Sequence, residues 1–111
     1  MKKTAVSKQI SVIIPDKIRE KFERYQFGEI AEGFRKILRA EEAVVVSLDE
    51  NRDYVAVTVR FELKKTFVSK KILDSLSRVS EAFDVEYWID KMIPSGKTCS
   101  LYLTILRRVE K

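Results

Sequence analysis

The sequence predicts an α+β chain in two parts. Residues 1–42 form a strand–helix–helix unit that pairs its strand with that of a second copy, and residues 43–111 form a β-β-α-β-β antiparallel sheet domain. Three observations predict this. Within residues 8–15, Ile10, Val12 and Ile14 fall at every second position, the period of a strand with one buried face. Two stretches of helical period follow before any other strand pattern, so that strand has no near partner in its own chain. From Ala43 the period becomes alternating, interrupted by one helical stretch that opens at Ser69.

Residues 1–7 read as a basic arm, with Lys2, Lys3 and Lys8 preceding any acidic residue. Pro15 stops the strand and suits the first turn of a helix, where its missing N–H costs nothing. A first helix is predicted over residues 15–25, with Ile18, Phe22 and Tyr25 on one stripe. Asp16 and Glu20 sit near its start, where the helix dipole favours negative charge. Gly28 lies in a short break, and a second helix is predicted over residues 29–42, its stripe marked by Ile30, Phe34, Ile37 and Leu38. Gly33 inside that helix costs up to about 1 kcal/mol relative to alanine, which close approach of another helix would explain.

A lone strand with an apolar face is unstable and sticky. Pairing with the same strand of a second copy across a two-fold axis resolves this. The expected dimer core is then Ile10, Val12, Ile14, Phe34, Ile37 and Leu38, with Gln9, Ser11 and Ile13 pointing outward. A two-stranded antiparallel ribbon of this kind fits the major groove of DNA.

In the second part, Val44, Val46 and Leu48 suggest a short strand, and residues 49–53 a polar turn. Tyr54–Leu63 alternates cleanly, completing a hairpin. Ser69 is a suitable N-cap for a helix to Phe83, with Ile72, Leu76, Val79 and Phe83 on one side. Two further strands are predicted over residues 85–93 and 99–109, joined by a turn at residues 94–97. Val57, Val59, Phe61, Tyr87, Ile89, Leu101, Leu103 and Ile105 are expected beneath the helix. The other face would show Thr58, Arg60, Trp88, Tyr102 and Leu106. Aromatic residues exposed at that density suggest a contact surface for a partner, centred on Arg60, Trp88 and Tyr102. The alternative is that Trp88 and Tyr102 cover the helices of the first part.

Composition narrows the function classes. Of the 111 residues 35% are charged, 22 basic against 17 acidic, for a net charge of +5, which favours an anionic partner. Cys99 is the single cysteine, which suits a reducing interior, and the expected location is cytoplasmic. Histidine is absent, which removes the usual general base and the commonest transition-metal ligand. No apolar run approaches a membrane span, and no catalytic constellation or Gly-rich phosphate loop is present, so neither enzyme nor cofactor is expected. Asp49, Glu50 and Asp53 share a turn that reads as a polar hairpin tip rather than a cation site. Plentiful lysine, arginine, glutamate and valine beside scarce glutamine and asparagine point to a thermophilic source.

Strand, two helices, proline at the joint, and the run Ala31-Glu32-Gly33-Phe34-Arg35-Lys36-Ile37-Leu38-Arg39 together resemble the ribbon-helix-helix family of DNA-binding proteins over residues 6–42. The resemblance implies an intertwined dimer on double-stranded DNA. Gln9, Ser11 and Ile13 would read base edges, and Lys3, Lys8 and the backbone at Gly28 would contact phosphates. In outline the two-part layout resembles the nickel-responsive members, but a chain without histidine and with one cysteine cannot build a nitrogen-rich nickel site.

The expectation is therefore a dimeric, sequence-specific transcription regulator, such as a repressor, whose C-terminal domain sets higher assembly or protein partner choice. The second reading is a protein-binding module, an antitoxin or mobile-element inhibitor, that uses the ribbon mainly to dimerise. Ile13 at a position where the family commonly has a polar reader, and Glu29 near the expected phosphate contact, favour that second reading.

Overall fold

The computed structural model describes residues 12–65 and 68–109. In chain order its elements are β1 (Val12–Ile13), α1 (Asp16–Arg24), α2 (Phe27–Leu38), β2 (Glu42–Glu50), β3 (Tyr54–Leu63), α3 (Lys70–Phe83), β4 (Glu86–Ser95) and β5 (Thr98–Arg108). All the strands belong to one sheet, in the order β1-β2-β3-β5-β4. β1 runs parallel to β2, and every other neighbouring pair is antiparallel.

The parallel pairing corrects the expected fold. Val12 lies beside Ala43 and Ile13 beside Val44, so the first strand finds its partner within its own chain. Parallel neighbours need a crossover of a dozen or more residues. The two helices between β1 and β2 are that crossover. The strand thus has a partner without recourse to a second copy. The ribbon-helix-helix plus separate sheet domain is replaced by a single five-stranded mixed sheet with its helices.

The described residues of the expected dimer core pack within the chain. Phe34 and Leu38 are buried in the chain's own core, and Val12, Ile14 and Ile37 pack partly buried against it. Of the expected DNA contacts, Ile13 lies in β1 at the sheet edge and Gly28 is the exposed second residue of α2. Lys3, Lys8, Gln9, Ile10 and Ser11 lie outside the described residues.

The helices end on left-handed residues that are not glycine: Gln26 after α1 (φ 60°), Arg39 after α2 (φ 57°) and Asp84 after α3 (φ 56°). The bend between α1 and α2 is therefore taken at Gln26, two residues before the expected Gly28. After α2 the Ala40 N–H donates to the Arg35 carbonyl at 3.0 Å, which satisfies one of the free C-terminal carbonyls. The Arg35 guanidinium secures the same turn, donating to the Ala40 carbonyl at 2.9 Å and to both Glu32 oxygens at 2.8 and 2.6 Å. Ser69 caps α3 as the sequence predicts, accepting from the Ile72 N–H at 3.2 Å.

The core lies between the helices and one face of the sheet. Phe22, Phe27, Ile30 and Phe34 from α1 and α2 meet Val55, Val57, Val59 and Phe61 of β3 and Leu101, Leu103 and Ile105 of β5, all fully buried. Phe34 packs on Tyr87 with ring centroids 5.4 Å apart. A Cβ added to Gly33 would stand 3.2 Å from Cγ1 of Val79 and 3.6 Å from Cε2 of Phe83, so this glycine marks where α3 closes on α2. Residues on either side of position 42 thus share one core.

Candidate functional site

With all the helix packing on one side, the other face of the sheet has no layer over it. Strand register sets out its side chains in rows across β2, β3, β5 and β4. One row is Glu42, Glu62, Ser100 and Ile93, and the next is Val44, Arg60, Tyr102 and Lys91. A third is Ser47, Thr58, Thr104 and Trp88, and a fourth is Asp49, Ala56, Leu106 and Glu86. Arg60, Trp88 and Tyr102, grouped by the sequence on this face, are all placed here. Trp88 is 46% exposed and covers no helix.

β2 and β4 each depart from regular alternation once. β2 carries an extra residue between Val45 and Ser47, and β4 carries one between Ile89 and Lys91. Val45 and Ile89 face the helices, whereas Ser47 and Lys91 stand beside Thr58 and Tyr102 on the open side. The extra side chains, Val46 and Asp90, are thereby added to the helix-free face, which is a common use of bulges. Val46 is 47% exposed.

The exposed large hydrophobic side chains among the described residues are Ile13, Val46, Tyr54, Trp88 and Ile93. By register every one of them belongs to this face: Ile13 beside Val44, Tyr54 in phase with Ala56, Trp88 beside Thr104, and Ile93 beside Ser100. Single exposed hydrophobics are ordinary, whereas these are gathered on one side of the molecule.

The polar groups of the face hold one another. Arg60 donates through Nε to Glu62 at 2.6 Å, and the Ser100 hydroxyl donates to the same carboxylate at 2.8 Å. The Glu62 carboxylate holds the Arg60 guanidinium above its ordinary pKa. The Lys91 ammonium stands 4.7 Å from the centroid of the Tyr102 ring, a cation–π contact. The Thr104 hydroxyl donates to Asp90 at 2.6 Å and lies 3.1 Å from the hydroxyl of Thr58, linking β4, β5 and β3. These contacts fix the side chains in the middle of the face.

The remaining sequence-derived sites are not brought together into chemistry. Glu50, grouped by the sequence with Asp49 and Asp53 at a hairpin tip, accepts a hydrogen bond from the Tyr25 hydroxyl and pairs with Lys21 at 3.1 Å. Cys99 is buried beneath the helices, and burial pushes its thiol pKa up, so it is held as the unreactive thiol. Among the described residues no group of acidic, cysteine or histidine side chains could hold a metal, and no helix is long and apolar enough to cross a membrane. Lys36, Arg39 and Lys71 line a shallow, open cleft between the end of α2 and the start of α3, on the opposite side of the molecule from the bare sheet.

The face could be only half found from sequence. Clean alternation in β3 and β5 gives Arg60 and Tyr102 their side. Val46, Asp90 and Ile93 are missed because each lies at or beyond a bulge, where the period of two fails.

No protein-family model matches the chain, and no curated protein matches it. Among solved structures, the periplasmic domain of XcpY is similar over 72% of this chain and 99% of that one, at 24% sequence identity and a TM-score of 0.37. The regulator reading, together with its repressor and DNA-binding descriptions, is withdrawn because Val12 and Ile13, the described end of its ribbon strand, pair within the chain's own sheet. The cytoplasmic location expected alongside it is withdrawn too.

Proposed function

We propose that this chain is a non-catalytic docking module that receives a partner protein on the helix-free face of its sheet. The observation that carries this reading is the confinement of the exposed large hydrophobics, Ile13, Val46, Tyr54, Trp88 and Ile93, to that one face. A bare sheet face with an aromatic residue at its edge and paired polar groups between resembles the exposed half of an unfilled layer. The polar side chains in the middle of the face are tied to neighbours rather than set against a reactive group, which suits recognition more than catalysis. Arg60, Trp88 and Tyr102 are the residues expected to touch the partner.

The test is differential capture from an extract of the source cells. Wild-type protein and a Lys36→Ala control, changed on the opposite side, should retain one stoichiometric protein. Trp88→Ala and Ile93→Ser should lose it while keeping the wild-type circular dichroism spectrum and unfolding midpoint. Retention by both face variants overturns the reading, and so does failure of every form to retain a partner.

A further inference from the structure

The charge on the bare face runs against the charge of the chain. The whole sequence carries a net charge of +5. The face nevertheless presents the carboxylates of Glu42, Asp49, Glu62, Glu86 and Asp90, against the cations Arg60, Lys91 and Arg108. Glu62 and Asp90 are engaged within the face. Glu42, Asp49 and Glu86 make no ion pair among the described residues.

The position of these carboxylates matters. Glu42 and Asp49 stand on β2, and Glu86 on β4 with Asp90 and Lys91, while along the strands between them the small side chains Ala56, Thr58 and Thr104 lie at the Asp49–Glu86 end and Arg60 and Tyr102 towards Glu42. β2 and β4 are three strand spacings apart, roughly 14 Å. A helix with its side chains is about 10–12 Å across. One helix laid between β2 and β4 would therefore bring side chains from both its flanks onto the two acidic margins.

Resting on the docking reading above, we infer that the partner presents an amphipathic helix whose apolar stripe is bordered on both sides by lysine or arginine. Its stripe covers Trp88, Val46 and Leu106, and its basic borders pair with Glu42, Asp49 and Glu86. A second copy of this chain fits less well, since face against face it sets two surfaces with the same excess of carboxylates, five against three cations, against each other. A polyanion is repelled by the same excess.

Trp88 is the chain's single tryptophan and lies inside the surface, so its fluorescence reports occupancy directly. The probes are two synthetic 18-residue helical peptides without tryptophan, sharing one leucine stripe, bordered in one by lysine and in the other by glutamate. The lysine-bordered peptide should shift Trp88 emission to the blue with an affinity that falls as salt is raised, and the glutamate-bordered peptide should not. Asp49→Lys combined with Glu86→Lys should weaken the first by about tenfold or more and admit the second. Equal binding of both peptides, or an affinity indifferent to salt and to the charge reversal, overturns the inference. A Trp88 shift that follows the protein's own concentration and that neither peptide competes away names a second copy as the occupant. That outcome overturns the cationic helix but leaves the face a docking surface. Failure of the docking reading itself is seen separately, as a captured partner that survives Trp88→Ala.

Discussion

Tyr25, directly after α1, ties the end of that helix to the sheet. Its hydroxyl donates to Glu50 at the end of β2, Lys21 pairs with the same carboxylate at 3.1 Å, and Arg107 of β5 donates to the Tyr25 carbonyl at 2.9 Å. The Tyr25 hydrogen bond, then Lys21, hold Glu50 below the ordinary carboxylate range. The Glu50 bond in turn raises the Tyr25 phenol above its ordinary value of 10.0. The signs follow from linkage. A lowered carboxylate stabilises the fold above its unfolded pKa and loses that contribution as pH falls through the folded value. A raised phenol contributes below its unfolded pKa and loses that contribution as pH rises through the folded value. Tyr25→Phe should therefore flatten the alkaline fall in unfolding midpoint and shrink the acid dependence that Glu50 carries, while Lys21 preserves part of the latter. Thermal melts from pH 3 to 11 check this, and an unchanged alkaline limb would refute it. Gly33 offers a second residue-scale test. Alanine there gains helix propensity of up to about 1 kcal/mol but must displace Val79, so Gly33→Ala should lie within about 1 kcal/mol of wild type. Gly33→Val adds bulk against the same neighbour and should cost about 1–3 kcal/mol in urea titration.

At the scale of elements, what the sequence told depended on whether a period stayed in phase. β3 and β5 keep strict alternation, and their inward residues Val57, Phe61, Leu101 and Ile105 are readable directly. α3 is readable from its cap and its stripe. β2 is not, because Ala43, Val44, Val45 and Val46 are apolar at both parities and hide the bulge. The alternating positions that suggest the strand, Val44, Val46 and Leu48, therefore do not share a face: Leu48 lies beside Val57 on the helix side, Val44 beside Arg60 on the open side, and Val46 is exposed, while Ala43 and Val45 are buried. The two-residue β1 was readable as a strand, but its partner was not, since periodicity says nothing about which strand lies alongside. The bulge yields a prediction. Val46 is the unpaired residue, so deleting it should restore a regular ladder and leave Val45 and Leu48 facing the core. That deletion should shift the thermal midpoint by only a few degrees. Deleting Ala56 from unbulged β3 throws every residue on one side of the cut to the opposite face and should abolish cooperative unfolding. Equal damage from both deletions would mean that Val46 has a structural role the register does not assign.

The whole molecule is where sequence reasoning failed most, and the reason is physical. Strand–helix–helix and β-β-α-β-β each look like a closed unit when read locally. What joins them is a long-range choice, the docking of α1 and α2 onto a sheet face already supplied with one helix. The energetics of that choice can be tested by cutting the chain where two domains were expected. Residues 43–111 would retain β2 to β5 and α3 but lose Phe22, Phe27, Ile30 and Phe34, each fully buried in the shared core. Burying a side chain of this size contributes about 1.5–3 kcal/mol, so the four together contribute roughly 6–12 kcal/mol, comparable with the 5–15 kcal/mol that holds a whole domain. Their loss also leaves Val57, Val59 and Phe61 under water on the helix side. The fragment should therefore lack a sigmoidal urea transition, whereas the full chain unfolds in one step whose midpoint does not depend on protein concentration. A fragment that unfolds cooperatively with the full chain's midpoint would restore the two-domain division. A full-chain midpoint that climbs with concentration would instead return part of the stability to contact between copies.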